Sequence, residues 1–207
     1  MIPARWLLPL LAAAWLAPAT PALAQSKCRA VASLPAAVRP FVKRGTCAIE
    51  LESKDLDLDG RGDYLLVLEQ LEAGPDPSFG RRRSLLVLTA SPAGRLREAA
   101  RNNGVVLCSG CGGVWGDPFE GVTAAPGRFT VEHYGGSAWR WRADYTFAYS
   151  RRDRAWQLVR VEETSFHAGD PGTRRRRVST PPRDFGKVDV RTFDAEAWQL
   201  RGERATP

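Results

Sequence analysis

The chain has no uninterrupted apolar run long enough to span a bilayer, no exact internal repeat, few lysines, and no cysteine directly behind its apolar N-terminus. The first absence argues against a transmembrane anchor, because Pro9, Pro18 and Pro21 break the only strongly apolar stretch. The last argues against a lipid-modified cysteine at a processed N-terminus, since Cys28 comes too late. What remains reads as an export signal over residues 1–24. Arg5 supplies the basic start, Trp6 to Leu16 the apolar stretch, and Ala22-Leu23-Ala24 the small-x-small cleavage pattern before Gln25. Residues 25–207 then form a single domain, long enough to bury a core, in a periplasmic or secreted setting.

The net charge is +7, and nearly all the cations are arginine. Clusters at Arg81–Arg83, Arg151-Arg152-Arg154 and Arg174–Arg177 suit phosphate or an anionic cell surface in principle. No nucleic-acid recognition motif accompanies them, so no nucleic-acid partner is expected, and they read as solvated loops.

Periodicity predicts a mainly β fold of antiparallel sheets, a sandwich or a propeller-like arrangement, with one short N-terminal helix and a minor C-terminal one. Leu34, Ala37, Val38, Phe41 and Val42 share a helical face, but Pro40 inside the pattern implies a short or kinked helix. From Cys47 the period becomes two. Tyr64–Leu68 and Ser84–Thr89 are nearly continuous apolar strands, and Leu96–Arg101 is a weaker one. Arg128–His133 alternates. Trp139–Tyr149 puts Trp139, Trp141, Ala143, Tyr145, Phe147 and Tyr149 on one buried face, with Ala155–Glu163 as its hairpin partner across Arg151–Arg154. Residues 167–183 are polar and Arg-rich and are expected to be a mobile loop. Val188–Phe193 reads as a last strand and Ala195–Leu200 as a short helix.

The most specific motif is Asp55-Leu-Asp57-Leu-Asp59-Gly60-Arg61-Gly62-Asp63. Oxygens from Asp55, Asp57, Asp59 and Asp63, with the carbonyl of Arg61, are placed to wrap one hard cation, and Gly60 permits the sharp turn. Four carboxylates this close repel one another without a cation, so calcium is the expected cofactor. An EF-hand would carry Glu at position 12, where Leu66 stands, and the flanks here are strands. The embedded Arg61-Gly62-Asp63 tripeptide spells an adhesion signal, but Asp63 is needed as a ligand. The loop, followed at once by Asp63-Tyr-Leu-Leu-Val-Leu-Glu, resembles the FG-GAP/VCBS calcium loops of integrin-type propeller blades. More broadly the chain is similar to a group of uncharacterised exported bacterial proteins with a single such loop. The similarity runs through Leu34 to Phe41, Cys111–Gly121, His133–Trp141 and Asp184–Lys187. The resemblance implies a calcium-stabilised β domain and no particular activity. One loop is too little for a full propeller.

Four cysteines allow three pairings, and Cys28–Cys47 with Cys108–Cys111 is favoured. Cys108-Ser-Gly-Cys111 also fits a redox pair, or a zinc site completed by His133, although free thiols are disfavoured outside the cytoplasm. The remaining polar constellation is Asp117 and Glu120 with His133, Tyr134, Ser137, Trp139 and Arg140. Ser137 lacks a G-x-S-x-G frame.

These residues support a non-enzymatic, calcium-stabilised binding domain of the bacterial envelope, of inhibitor or immunity type. Its partner would be a protein or an envelope glycan, bound through Tyr134, Trp139 and Arg140. An envelope hydrolase using His133 with Asp117 or Glu120 is the alternative, and a periplasmic thiol oxidoreductase through Cys108 and Cys111 is a third reading. A hydrolase requires His133 and a carboxylate in one cleft; an oxidoreductase requires a helix start at Cys108.

Overall fold

A computed structural model describes residues 27–76 and 80–204. The expected signal over 1–24 lies outside the described residues. The chain forms two antiparallel sheets in sequence order. The first is a four-stranded meander of β1 (Thr46–Lys54), β2 (Asp63–Gln70), β3 (Arg83–Ala90) and β4 (Leu96–Asn102). The second is a five-stranded meander of β5 (Phe119–Ala125), β6 (Arg128–Gly136), β7 (Trp139–Ser150), β8 (Ala155–His167) and β9 (Asp170–Ser179). The helix α1 (Ala195–Arg204) follows near the C-terminus.

The near-continuous apolar strands have a simple cause. Leu65, Val67, Leu85 and Val87 point into the main core, while Leu66, Leu68, Leu86 and Leu88 point the other way into a second cluster. Leu34 and Val38 of the N-terminal segment cap that second cluster. The four-stranded sheet is therefore buried on both faces, and a strand buried on both faces need not alternate. The five-stranded sheet buries only one face. Phe129 and Val131 on β6, Ala143, Tyr145 and Phe147 on β7, and Trp156, Leu158 and Val161 on β8 meet the first sheet. Its other face carries Glu132, Arg142, Asp144, Arg160 and Glu162, paired among themselves.

Three local expectations change. The N-terminal helix is two 3-10 turns, Val31–Ser33 and Arg39–Phe41, because Pro35 and Pro40 remove backbone donors that a continuous helix requires. Leu34 and Val38 are still buried, as that pattern requires. Residues 167–183 are not a mobile loop: Asp170–Ser179 is β9, in register with β8 at Glu162↔Val178 and Thr164↔Arg176. An edge strand needs backbone partners on one side only and tolerates charged side chains. Arg176 reaches Glu162 of β8 at 2.5 Å. Finally, Val188–Phe193 is not a strand. Asp189 bridges Gln157, then accepts the Arg191 N–H and starts a 3-10 turn that drops Val190 and Phe193 into the core.

Candidate functional site

The acidic loop joins β1 to β2 and spans the junction of the two sheets. Leu56 is fully buried between the sheets, and its carbonyl accepts the indole N–H of Trp156 on β8 at 2.9 Å. The Asp55 carbonyl accepts the N–H of Gly127, in the β5–β6 turn, at 2.8 Å. Leu58, held at φ 60°, leans on Gly127 so closely that a Cβ there would meet it at 2.9 Å. The loop conformation is thus fixed by contacts to the second sheet.

Within the loop, Asp63 is buried and acts as an organiser. Its Oδ2 accepts the N–H groups of Leu56 at 2.8 Å and Asp57 at 3.3 Å, and its Oδ1 accepts that of Ala90 at 2.9 Å. Asp55 accepts the N–H groups of Asp59 and Gly60, the latter at φ 88°. Carboxylate oxygens of Asp55, Asp57 and Asp63 lie within 4.8 Å of one another. Burial, then the charges of Asp63, Asp59 and Asp55, push the Asp57 carboxyl up to about 6. Burial also raises Asp63, against the backbone donors that lower it. Asp57 Oδ1 is buried with no hydrogen-bond partner among the described residues. Oxygen-only donors, crowded like charges and an orphaned oxygen suit a hard divalent cation. Asp59 borders Asp57 and adds to its crowding, but it is also ion-paired to Arg61, whose Nε donates to the Ala90 carbonyl. Since Asp63 has no exposed surface, the Arg61-Gly62-Asp63 tripeptide is not displayed as an adhesion signal.

The cysteines pair as Cys28–Cys47 and Cys108–Cys111, with Cα separations of 5.5 and 5.2 Å. Cys108 and Cys111 sit on a turn, with only a three-residue 3-10 segment, Gly113–Trp115, behind them. The helix start that a thioredoxin-type thiol requires is not there, and both sulfurs are bonded, leaving none for zinc with His133.

The residues grouped as Asp117, Glu120, His133, Tyr134, Trp139 and Arg140 are split by the structure. His133 faces the core on β6, fully buried; its Nε2 accepts the Leu107 N–H at 3.2 Å. Burial and the Arg83 charge drive its pKa down to about 3, so it is neutral. Asp117 is clamped by both Nη groups of Arg83, at 2.6 and 2.8 Å. Burial alone would raise the Asp117 carboxyl, but Arg83 outweighs it and holds it below the usual range. Glu120 is exposed on β5. These three therefore share no cleft. His133 alternates inward with Phe129 and Val131, which places it in the core rather than on the surface.

The clamp itself went unread in the sequence. Arg83, grouped there with solvated arginines, is buried and also bonds Glu69, its register partner on β2. Arg81 and Lys27 complete the network, on Glu69 and Asp117 respectively. The signal was available: Arg83 continues the inward alternation of Leu85 and Val87.

Tyr134 and Arg140 come together around Trp115, at the end of the five-stranded sheet remote from the acidic loop, and Trp139 lies at the same end but projects from the other face of β7. Trp139 is 57% exposed and packs edge-on against His167. The face on which Trp139, Trp141 and Tyr145 alternate is buried only from Ala143 inward. Arg140 stacks over Trp115 at 4.9 Å, and Trp115 meets Tyr134 edge-on at 4.9 Å. Gly135 makes room for Trp141, which a Cβ there would meet at 2.6 Å. Neither a protein-family model nor a curated protein matches the chain.

Proposed function

We propose that the chain is an exported binding domain of the bacterial envelope, stabilised by calcium at the acidic loop. In this reading it engages an envelope component through Tyr134, Trp139 and Arg140. The observation that carries the reading is the exposure of Trp115, under a stacked arginine, and of Trp139 at the same end of the sheet; they are the two exposed aromatic residues among the described residues. Large exposed aromatic rings are costly to leave in water and dominate binding energy when a partner covers them.

Calcium would be held by Asp55, Asp57 and Asp63, with Asp59 joining if it released Arg61. The cation supplies charge compensation that lets these carboxylates stay ionised together. An inhibitor or immunity role fits a domain of this kind, and no observation favours an enzyme over it. The test is retention on isolated envelope fractions with and without calcium. Trp139→Ala should weaken retention while leaving calcium-dependent melting intact. Undiminished retention of Trp139→Ala would overturn the assignment of this end.

A further inference from the structure

Three turns meet at the end of the five-stranded sheet opposite the acidic loop. The N–H of Gly136, at the end of β6, donates to the Gly112 carbonyl at 2.8 Å. The N–H of Ala168, in the β8–β9 turn, donates to the Ala138 carbonyl at 2.8 Å. From these turns project Val114, 84% exposed, Trp115, 49% exposed, and Trp139. The Cys108–Cys111 disulfide and the 3-10 turn Gly113–Trp115 fix the first loop in place, so little ordering is needed on binding.

Charge is distributed to match. On the outer sheet face Arg142, Arg160 and Arg176 are neutralised by Glu132, Asp144 and Glu162. Arg140 and Arg174 stack on Trp115 and Phe166 and enter none of the ion pairs of the described residues. Arg140 and Phe166 are register partners, so the aromatic-arginine pairs form one strip. The acid nearest these turns in sequence, Asp170, is turned onto the Gly172 N–H.

We propose, resting on the reading that this end is the binding face, that it docks on an anionic phospholipid surface. Apolar side chains at turn tips, ringed by uncompensated arginines, suit insertion into a headgroup layer, where Trp is favoured and each cation gains from the negative surface. A glycan would stack on ring faces and leave Val114 bare. A protein partner would need a broader apolar centre than this strip offers.

Flotation with vesicles of phosphatidylglycerol in phosphatidylcholine, and of phosphatidylcholine alone, tests this on the full chain. The wild type should float with the anionic vesicles, with blue-shifted tryptophan emission, and not with the neutral ones. Trp115→Ala/Trp139→Ala and Arg140→Ala/Arg174→Ala should each weaken binding by roughly tenfold or more. Arg151→Ala/Arg152→Ala, at the other end, should bind as wild type. These residues are exposed except Arg140, which is half-buried and donates to the Gly136 carbonyl, and unchanged melting would confirm folding. Wild type remaining unbound, or equal flotation of the tryptophan variant, overturns the lipid inference. If the protein fails on vesicles but is retained on an acidic glycan or a purified envelope protein in a Trp139-dependent manner, the lipid inference falls and the binding-end reading stands. If Trp139 matters in neither assay, both fall.

Discussion

The two ends of the five-stranded sheet use polar chemistry in opposite ways. At the β5–β6 end, charge is concentrated and inward: Asp55, Asp57 and Asp63 crowd together, and their loop is tied to the second sheet through Leu56, Trp156 and Gly127. At the β6–β7 end, apolar surface faces outward, and the arginines beside it stack on rings instead of pairing with acids. The first arrangement makes ligand and fold interdependent, because a cation bound there would be bound only by the folded junction. The second is separable from the fold. Removing Trp139, which is mostly exposed, takes little from the core.

This contrast predicts how each end breaks. Trp156→Ala should be the most damaging change, costing about 3–5 kcal/mol from the cavity alone. It also strands the Leu56 carbonyl that organises the acidic loop. Chemical denaturation measures it, and a loss under about 1 kcal/mol would uncouple the loop from the core. Replacing Cys28 and Cys47, which are 19 residues apart, by serine should cost about 3 kcal/mol in the chain-entropy model. Thiol titration of the unfolded, unreduced wild-type protein should find no free cysteine.

A pH effect follows from His133. Its folded pKa, about 3, lies below the ordinary 6.5. The unfolded chain therefore takes up a proton that the folded chain refuses. Its contribution is complete above about pH 6.5 and is lost as pH falls from there toward 3. His133→Gln should flatten that part of the stability profile relative to wild type, whatever it costs overall. An unchanged slope would place the titration elsewhere. The smallest effect belongs to the other end: Trp139→Ala should alter stability by no more than about 0.5 kcal/mol, and a larger loss would make that tryptophan structural.

How much of this was legible in the sequence depends on whether a local pattern decided the matter. β2, β3 and β7 were readable from their apolar runs, and the acidic loop from its spacing, since both signals are contiguous. The hidden parts needed the partner strand. Asp170–Ser179 looked like a loop because an edge strand with four arginines has no apolar face to announce it. Arg83 looked solvated until Glu69 and Asp117 were opposite it. His133 could serve catalysis by residue type or a hydrogen bond inside a sheet, and its inward parity with Phe129 and Val131 favours the second, which the structure shows. Trp139 looked buried by the same parity logic, which fails there because the core ends at Ala143.

Calcium titration into metal-free protein, followed by calorimetry and by melting, tests the central contrast most directly. One site per chain is predicted, stabilising by about 2.7 kcal/mol when free calcium is a hundred times the dissociation constant. Affinity should fall as pH drops through about 6, where Asp57 takes up a proton. Asp57→Asn should abolish binding, and Trp115→Ala/Trp139→Ala should leave it unchanged. Absence of binding heat, with identical melting curves in calcium and in EDTA, would contradict the account.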